Sequence, residues 1–575
     1  MKSRNRNKKQ SFIEGAAVLV MATAIVKVLG AVFKIPLGNL IGELGMGYFQ
    51  TAYDLYLPIY SIALAGMPIA VCRMVAAYMG KEQYVNARSV LKIAKIFFWV
   101  IGIVGTLVLF GAAYPYLRFI SGNGINLGAL PGIFVIAPCI LFCCVMSIYR
   151  GYYEGLCNMT PTAVSQIVEA LGKLVVGLGL AFLADYLGYG PNVQSAAAIF
   201  GIMLGTAFGA LYLRLRMARF GDGITPEMLE KCQGPVDSKK QIFKSLIVFA
   251  IPVIIGAFAN QIAGFIDVIT VQRQLAKAVQ SNPNFFQENF PQMCASLLED
   301  PEINTTQDLL NAIPTYFYGC YKGFAFSVFS LAPTIVSAIG VSALPVVTTA
   351  YTSGNQKETK ITMESVVRVT CLLCMPAGCG IAAVSEGILN LLYPTKPVGA
   401  ALAASPLMVL GIGAIFNGLS MPLNNLLQAV GKERIPVVNM FIGAAIKIGL
   451  NLWLVGKPQV NIFGAAISTV ACYLFIVVAN FYFLMKCTKI KLNLYACFFK
   501  PLLAGGLCGL GAWAAYGLLL RVVSNTLATV GSIGIAAVIY LIAVFLLRII
   551  TKNDLLMVPK GEKIAKVLEK LGWIG

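Results

Sequence analysis

Long apolar runs recur from end to end of this 575-residue chain. A run of about 20 such residues is long enough to cross the roughly 30 Å hydrocarbon core of a bilayer as an α-helix. Only 12% of the residues are charged, compared with about 25% in an average soluble domain. Because lipid offers no hydrogen-bond partners, segments that cross it must satisfy their own backbone groups. The sequence therefore predicts an all-α integral membrane protein.

We predict about fourteen transmembrane helices from these runs. We interpret the first run, Ala16–Phe33, as a spanning helix because it is too long for a signal peptide and no small-residue cleavage site ends it. The predicted spans are residues 12–33, 48–79, 92–113, 130–152, 162–185, 195–215, 245–276, 316–350, 366–391, 401–430, 435–455, 463–485, 499–520 and 529–549.

Positive charge alternates along the loops between these spans. Lys and Arg are plentiful in one set of loops and scarce in the other, and the net charge is +20. The rule that basic loops stay on the cytoplasmic side predicts a multi-pass inner-membrane protein with both termini in the cytoplasm. This pattern accounts for the positive charge without nucleic acid as a partner, and no nucleic-acid-binding motif occurs.

Several kinds of chemistry are disfavoured by the residues present. The chain has no histidine, and most of its 15 cysteines lie in apolar runs, where cysteine serves as a small hydrophobic residue. The Gly-Lys pairs do not form a P-loop, so ATP hydrolysis by this chain is not expected. We therefore expect no metal, cofactor or catalytic residues, and a secondary transporter rather than an enzyme.

An internal repeat relates the two halves of the chain. Ala77-Tyr78 and Ala350-Tyr351 follow the second and eighth predicted spans, and Lys173 and Lys447 lie in the fifth and eleventh, all at an offset of about 270 residues. An even number of spans separates the copies, which predicts two parallel six-helix lobes that rock about a shared central cavity. The predicted organisation is a basic cytoplasmic N-terminus (1–11), an N-lobe (12–215), a cytoplasmic linker (216–244), a C-lobe (245–485), two extra helices (486–550) and an amphipathic cytoplasmic tail (551–575).

One predicted outer loop, residues 278–315, has five carboxylates and neither Lys nor Arg. It is either a small lid or a tolerated insertion, and we favour the insertion because long surface loops cost little free energy. The tail carries apolar residues at helical spacing among lysines, which favours an anchor on anionic phospholipids.

Ionisable residues within spanning helices are costly and seldom face lipid, so they mark candidate sites. Deep cations outnumber deep anions, and a cationic cavity suits a phosphate-bearing substrate. Lys34, Arg73 and Arg150 lie nearer helix ends, where snorkelling to the headgroups is the alternative, and Glu169 and Lys173 are placed to form a structural i,i+4 pair. The candidate substrate-binding residues are Lys27, Lys34, Arg73, Arg150, Lys173, Lys322 and Lys447, and the candidates for coupling to Na⁺ or H⁺ are Asp54, Glu169 and Asp267.

Several motifs resemble a known family. Lys27-Val-Leu-Gly30, Ile41-Gly42 and Ala65-Gly66-Met-Pro68 are similar to the polysaccharide-transport branch of the MOP exporter superfamily. Tyr149-Arg150-Gly151-Tyr152-Tyr153-Glu154-Gly155 resembles an element of the stage V sporulation protein B group and of the Gram-positive lipid II flippases of the MurJ type. The resemblance covers about residues 12–550.

The resemblance implies two lobes around a V-shaped cavity and the flipping of an undecaprenyl-pyrophosphate-linked peptidoglycan precursor, lipid II, by a monomer. It also implies that cations of the first, second and eighth spans contact the pyrophosphate. Lys27 matches the first of these, and Lys322 lies about one turn from an arginine of some relatives. Four alternatives remain open: an exporter of O-antigen, capsule or teichoic precursors, a multidrug extruder, a non-transporting scaffold for wall synthesis, and a membrane glycosyltransferase.

Overall fold

The computed structural model describes residues 12–61, 67–122, 126–230, 232, 235–551 and 554, and every regular element within them is helical. The predicted all-α class is confirmed. The predicted N-terminal segment 1–11 and most of the tail 551–575 lie outside the described residues.

The helices of the first half are α1 (Phe12–Ser61), α2 (Met67–Gly80), α3 (Tyr84–Ile120), α4 (Leu130–Ile136), α5 (Cys139–Gly155), α6 (Thr160–Tyr186), α7 (Pro191–Phe220), α8 (Pro226–Glu230) and α9 (Lys239–Ser281). The outer segment and second half contain α10 (Pro283–Asn289), α11 (Pro291–Leu298), α12 (Thr306–Tyr318), α13 (Phe326–Phe329), α14 (Leu331–Thr352), α15 (Gln356–Ala383), α16 (Ser385–Leu392), α17 (Pro397–Ala429), α18 (Arg434–Leu454), α19 (Asn461–Thr488), α20 (Lys500–Leu519) and α21 (Asn525–Leu546). Two π-helical segments, Gly319–Ala325 and Tyr495–Phe499, precede α13 and α20.

Eleven helices among the described residues are long and apolar enough to cross a membrane. The exact number of fourteen spans stays a prediction. The three predicted spans outside the eleven are 48–79, 245–276 and 316–350. The first falls partly on α1, the second lies within the 43-residue α9, and the third is divided among α12, a π-helical segment, α13 and α14.

The predicted break between residues 33 and 48 is helical except at one position. Gly42 has φ 68° and ψ −169°, which interrupts α1 and divides it into a first arm (12–41) and a second arm (43–61). A positive φ of this size is accessible to glycine at little cost, because glycine has no Cβ. The interruption gives α1 two arms, and both contribute residues to the cavity described below.

The acidic segment 278–315 is mostly helical rather than an unstructured loop. It holds the end of α9, then α10, α11 and most of α12. Asn192, in the first turn of α7, donates a side-chain hydrogen bond of 2.7 Å to the Glu302 carboxylate. Asn126 donates to the Thr315 hydroxyl at 3.1 Å. These contacts attach part of the segment to the first half of the chain.

Contacts divide the chain into two compact units. Unit 1 comprises the described residues up to Ala276 together with Cys294–Tyr316, and unit 2 comprises Lys277–Met293 and the described residues from Phe317 onwards. The first of these boundaries lies within α9, later in the chain than the predicted end of the N-lobe at residue 215. The predicted lobe and linker boundaries therefore stay predictions.

Glycines set the close approach of α6 and α7 in unit 1. A Cβ on Gly201 would lie 2.1 Å from the Cα of Gly177, and one on Gly205 would lie 2.6 Å from the carbonyl oxygen of Glu169 and 2.8 Å from the amide nitrogen of Lys173. Small residues four apart let helix backbones meet in this way within membranes. The sequence of α7 thus fixes the backbone that carries Glu169 and Lys173.

Unit 2 has its own core, in which α15, α17 and α19 pack together. A chain of amides runs through it. Asn439 of α18 donates to Asn480 of α19 at 2.8 Å, and Asn480 donates to Asn424 of α17 at 2.7 Å. Buried amides that satisfy one another in this way fix the register of α17, α18 and α19.

Candidate functional site

A cavity of about 340 Å³ lies within unit 1 and brings together charged residues that are far apart in sequence. We call it the unit 1 cavity. The two arms of α1 and helices α5, α6 and α7 contribute to its wall. Its lining residues are Thr23, Val26, Lys27, Leu29, Gly30, Tyr53, Tyr56, Tyr60, Arg150, Gln166, Glu169, Ala170, Lys173, Ile202 and Thr206.

Arg150 is held in place from two sides. Its Nε donates to the Ser165 hydroxyl at 2.8 Å, and its Nη2 donates to Oε2 of Glu169 at 2.9 Å. The arginine side chain is 6% exposed and the glutamate side chain 22% exposed. A buried guanidinium requires such a partner, because an uncompensated charge is strongly disfavoured there. Glu169 thus pairs with Arg150 across two helices, and its charge also acts on Lys173 along its own helix.

The neighbouring Gly151 explains how the arginine comes to lie here. A Cβ at Gly151 would lie 2.4 Å from the carbonyl oxygen of Pro68. The absence of a side chain therefore lets α5 pack directly on the start of α2. This close contact fixes α5 at the point where Arg150 reaches α6.

Lys173 lies among aromatic rings. Its Nζ is 4.9 Å from the ring centroid of Phe33 and 5.3 Å from that of Tyr53. Both distances are within the range in which a cation is attracted to the face of a ring. The Lys34 charge also acts on Lys173, so a second cation lies close to the cavity wall.

Lys27 extends the cationic character to the first arm of α1, where its side chain is exposed and lines the cavity. Three cations, Lys27, Arg150 and Lys173, therefore line the cavity together with one carboxylate, Glu169. Since Glu169 is engaged with Arg150, the wall is electropositive as a whole.

The structure places the other predicted residues outside this wall. Asp54 and Asp267 are buried in α1 and α9, at 6% and 0% exposure. Arg73 is exposed on α2, where its guanidinium lies 4.4 Å from the Phe249 ring centroid. None of the three is among the residues that line the unit 1 cavity.

Lys322 and Lys447 belong to unit 2. Lys322 lies in a π-helical segment, is 3% exposed, and has its Nζ 4.0 Å from the ring centroid of Phe326. π-Helical turns often occur at functional sites. Lys447 is 2% exposed in α18. Their contact with substrate stays a prediction, as it does for every candidate residue.

Sequence reasoning missed the aromatic wall of the cavity. Tyr53, Tyr56 and Tyr60 lie on one face of the second arm of α1, and Gln166 joins them from α6. The spacing of i, i+3 and i+7 could have indicated one helical face. It could not have distinguished a cavity wall from packed core, because tyrosine is common in both.

Two family profiles match the chain. The family described as Polysaccharide biosynthesis protein matches residues 12–298, and the MatE family matches residues 322–453. Together the matches cover most of both units.

Curated relatives from Bacillus subtilis (strain 168) are similar over most of their length. The lipid II flippase MurJ is 26% identical over 470 residues, covering 80% of each chain. Stage V sporulation protein B is 23% identical over 559 residues, covering 96% of this chain and 98% of the relative.

Two solved structures have the same fold. A lipid II flippase MurJ in an inward closed conformation has a TM-score of 0.62 at 15% identity, covering 92% of this chain and 98% of its own. An inward-facing multidrug resistance MATE family transporter of the MOP superfamily has a TM-score of 0.59 at 12% identity, covering 82% and 98%.

Proposed function

Because the chain belongs to the polysaccharide biosynthesis branch of the MOP superfamily of membrane transporters, we propose that it is a flippase for lipid II. In this proposal, undecaprenyl-pyrophosphate-linked peptidoglycan precursor passes from the inner to the outer leaflet of a bacterial plasma membrane, for the cell wall or the spore cortex. The protein acts as a monomer with both termini in the cytoplasm.

The electropositive wall of the unit 1 cavity is the observation that carries this proposal. Lys27, Arg150 and Lys173 line it against the single carboxylate of Glu169. Lys and Arg donate charge-assisted hydrogen bonds to phosphate oxygens, and these bonds are strong where water is scarce. A substrate with two linked phosphates therefore suits this wall, and a cationic drug does not.

The volume of the cavity limits which part of the substrate it holds. At about 340 Å³ it lies near the lower end of the range of roughly 300–1,000 Å³ typical of small-molecule sites. The unit 1 cavity therefore takes the phosphate end of the headgroup, while the polyprenyl chain stays in the bilayer. Lys322 and Lys447 of unit 2 stay candidate substrate-binding residues, and transport proceeds by alternating access.

The coupling ion is part of the same proposal. Glu169 is the carboxylate that lines the cavity, and it forms an ion pair with Arg150. Protonation of Glu169, or Na⁺ bound to it, would release Arg150 for the substrate phosphate. Asp54 and Asp267 are the alternative coupling residues.

A second candidate is export of another lipid-linked oligosaccharide, of the O-antigen, capsule or teichoic type. The cationic wall favours it equally, because these carriers share the pyrophosphate. The two candidates differ in the glycan, which the wall of the unit 1 cavity does not fix.

The test is exposure of lipid II in a living host. The host's own lipid II flippases are depleted while this chain is expressed, and a membrane-impermeant lipid II-cleaving enzyme is added outside. We expect cleavage product in cells that carry this chain and none in cells that carry an empty vector. No cleavage, with the protein present in the membrane, would contradict lipid II as the substrate and leave the other lipid-linked oligosaccharides.

A further inference from the structure

The acidic segment 278–315 is shared between the two compact units. Contacts assign its first part, up to Met293, to unit 2 and the following residues, Cys294–Tyr316, to unit 1. The chain returns to unit 2 at Phe317. We call Cys294–Tyr316 the strap, because it belongs to unit 1 although both of its ends continue into unit 2.

Apolar side chains of the strap are buried. Leu297, Ile303, Leu309 and Ile313 are between 0% and 9% exposed. An insertion that the fold merely tolerates has no need to bury such residues, since a surface loop can stay solvated. The strap is therefore an ordered part of the fold, as expected of the predicted lid rather than of the predicted insertion.

The end of the strap packs closely on α1. A Cβ at Gly47 would lie 2.2 Å from the carbonyl oxygen of Thr315 and 2.7 Å from its Cγ2 atom. Because glycine has no Cβ, the two backbones can approach to this distance. Gly47 lies in the second arm of α1, shortly after the interruption at Gly42. The strap therefore contacts the start of the arm that continues to the unit 1 cavity.

Asn126, in the connection between α3 and α4, attaches the same end of the strap. Its Nδ2 donates to the carbonyl oxygen of Asn311 at 3.2 Å and to the Thr315 hydroxyl at 3.1 Å. Its Oδ1 accepts from the Gly128 amide at 3.0 Å, which fixes the orientation of the side-chain amide. Loss of this one side chain would remove two hydrogen bonds to the strap.

The middle of the strap is attached to the first turn of α7. Asn192 donates to Oε1 of Glu302 at 2.7 Å. Asp300 accepts from the Glu302 amide at 3.0 Å. Asp308 accepts from the amide and the hydroxyl of Thr305, at 3.1 and 2.7 Å, where α12 begins. These three carboxylates therefore shape or attach the strap, a use that requires no bound cation.

The strap is joined to unit 2 by helices rather than by loops. The unit boundaries at its two ends lie within α11 and α12. A helix transmits a displacement instead of absorbing it, because hinges occur in loops and at the ends of elements. The polar attachments to unit 1 are a few side-chain hydrogen bonds at half-buried or exposed positions, and each is weak. A movement between the units would therefore act first on these attachments.

We infer that the strap is reversibly attached to unit 1, and that it detaches from Asn126 and Asn192 when the two units move during transport. This role rests on the alternating access of the proposed function but not on which substrate is carried. Transport then requires detachment, so a strap that is held in place should stop it.

Cys294 offers a direct measure of detachment, because it is the cysteine of the strap and is 8% exposed. A maleimide reaches it when the strap detaches, so its alkylation rate in the purified chain, followed by mass spectrometry, reports the detached population. We expect Asn126→Ala to raise this rate by about 3- to 10-fold, because two hydrogen bonds are lost. The matched control is Asn304→Ala, since this exposed amide bonds only within the strap, to the Pro301 carbonyl oxygen at 3.3 Å. It should leave the rate unchanged.

A reversible cross-link tests whether transport requires detachment. In Asn192→Cys/Glu302→Cys, a short bis-methanethiosulfonate joins the strap to α7, and a reducing agent releases it. We expect the cross-link to slow both alkylation of Cys294 and flipping of lipid II in proteoliposomes by at least about 10-fold. The reducing agent should restore both rates. The two single-cysteine variants, treated identically, control for reaction at native cysteines and should not be slowed.

Equal alkylation of Cys294 in the cross-linked and the reduced chain, with the joined peptides identified by mass spectrometry, would overturn detachment. An unchanged alkylation rate in Asn126→Ala would refute the assignment of this residue as an attachment. Flipping at the wild-type rate in the cross-linked chain would overturn the role of detachment in transport. A wild-type chain that does not flip lipid II would instead contradict the proposed function, and the alkylation comparison would still decide whether the strap detaches.

Discussion

Arg150 and Glu169 form a pair in which each residue compensates the charge of the other, at 2.9 Å between Nη2 and Oε2. Removing one partner of a buried pair costs about 3–5 kcal/mol, because the remaining charge loses its compensation. Glu169 keeps 22% of its side chain exposed. We therefore expect Arg150→Met to lower the free energy of unfolding by about 3 kcal/mol, the lower end of that range.

The double variant Arg150→Met/Glu169→Gln removes both charges, and we expect it to recover most of that loss of stability. Thermal unfolding of the two purified variants and of Glu169→Gln alone completes the cycle. A double variant that is no more stable than Arg150→Met would show that the pair is not what stabilises this part of unit 1.

At the residue scale, the sequence identified charges but not their partners. The alternation of apolar and basic segments is enough to mark Lys27, Arg150, Glu169 and Lys173 as residues within helices. The four-residue spacing of Glu169 and Lys173 also predicts a contact between them, because side chains four apart are neighbours on one helix. The pair with Arg150 depends on how α5 packs against α6, which no local pattern encodes.

At the scale of the helix, the contact between α6 and α7 depends on Gly201. An alanine there would place its Cβ 2.1 Å from the Cα of Gly177, a backbone atom that cannot move aside alone. We expect Gly201→Ala to separate the two helices and to lower the thermal stability of the purified protein by about 1–3 kcal/mol, the usual cost of overpacking.

Gly179 on α6 is the matched control, since its Cβ would meet nothing within 4 Å. Alanine at this position should leave stability equal or slightly higher, because glycine is the poorer helix former by about 1 kcal/mol. Equal melting of the two variants would contradict a glycine-dependent contact between α6 and α7.

The segment that joins α7 to α9 is attached to α3 through Asp222. Arg88 donates to Asp222 from Nε at 2.8 Å and from Nη2 at 3.0 Å, and Tyr152 donates to it at 3.1 Å. Burial raises the pKa of the Asp222 carboxyl, but the hydrogen bonds from Arg88, the Ile224 amide and Tyr152 together with the Arg88 charge outweigh it. The net result is a pKa below the usual value of 3.8.

Because the pKa of Asp222 is lowered in the folded state, its carboxylate stabilises the attachment at pH values above the ordinary carboxyl pKa. This contribution is lost as the pH falls through the lowered pKa. We expect the Ile224 amide, which donates to Asp222 at 3.1 Å, to stay protected from hydrogen exchange from neutral pH to about pH 5. Its protection, corrected for intrinsic rates, should fall below about pH 4.

Arg88→Gln should reduce that protection at neutral pH, by about 1 kcal/mol or less because Arg88 is 38% exposed. If exchange of the wild-type Ile224 amide, corrected for intrinsic rates, became faster as the pH fell from 7 to 5, this account would be contradicted. Unchanged protection in Arg88→Gln would equally show that Asp222 does not hold the segment.

At the scale of the whole molecule, composition and periodicity predicted the all-α class and the resemblance of motifs predicted the family, but neither fixed the span count. The eleven apolar helices agree with eleven of the predicted spans, because each contains a long apolar run. The segment 316–350 is divided by the π-helical segment Gly319–Ala325 and by a break at Ser330, between α13 and α14. Such irregularities depend on tertiary packing, so hydropathy does not locate them.

The two units also show where sequence reasoning reached its limit. The repeat predicts two related lobes, and contacts do divide the chain in two. The sequence did not show that four of its ten candidate site residues line one cavity within unit 1, while Lys322 and Lys447 belong to unit 2. That separation requires knowledge of which helices pack together.

The central claim is that the cations of the unit 1 cavity bind the phosphates of a lipid-linked substrate during its passage across the membrane. The most direct measurement is flipping of fluorescent lipid II in proteoliposomes, read as accessibility to an impermeant reagent. We compare the wild type, the double variant Lys27→Gln/Lys173→Gln, and Lys457→Gln, which alters an exposed lysine next to Trp453.

The account predicts flipping by the wild type and by Lys457→Gln. It predicts a loss of at least about 10-fold in the double variant, since each lost charge-assisted bond is worth roughly 1.5–3 kcal/mol. Flipping at the wild-type rate by the double variant, folded and reconstituted at equal density, would contradict a role for this cavity in transport.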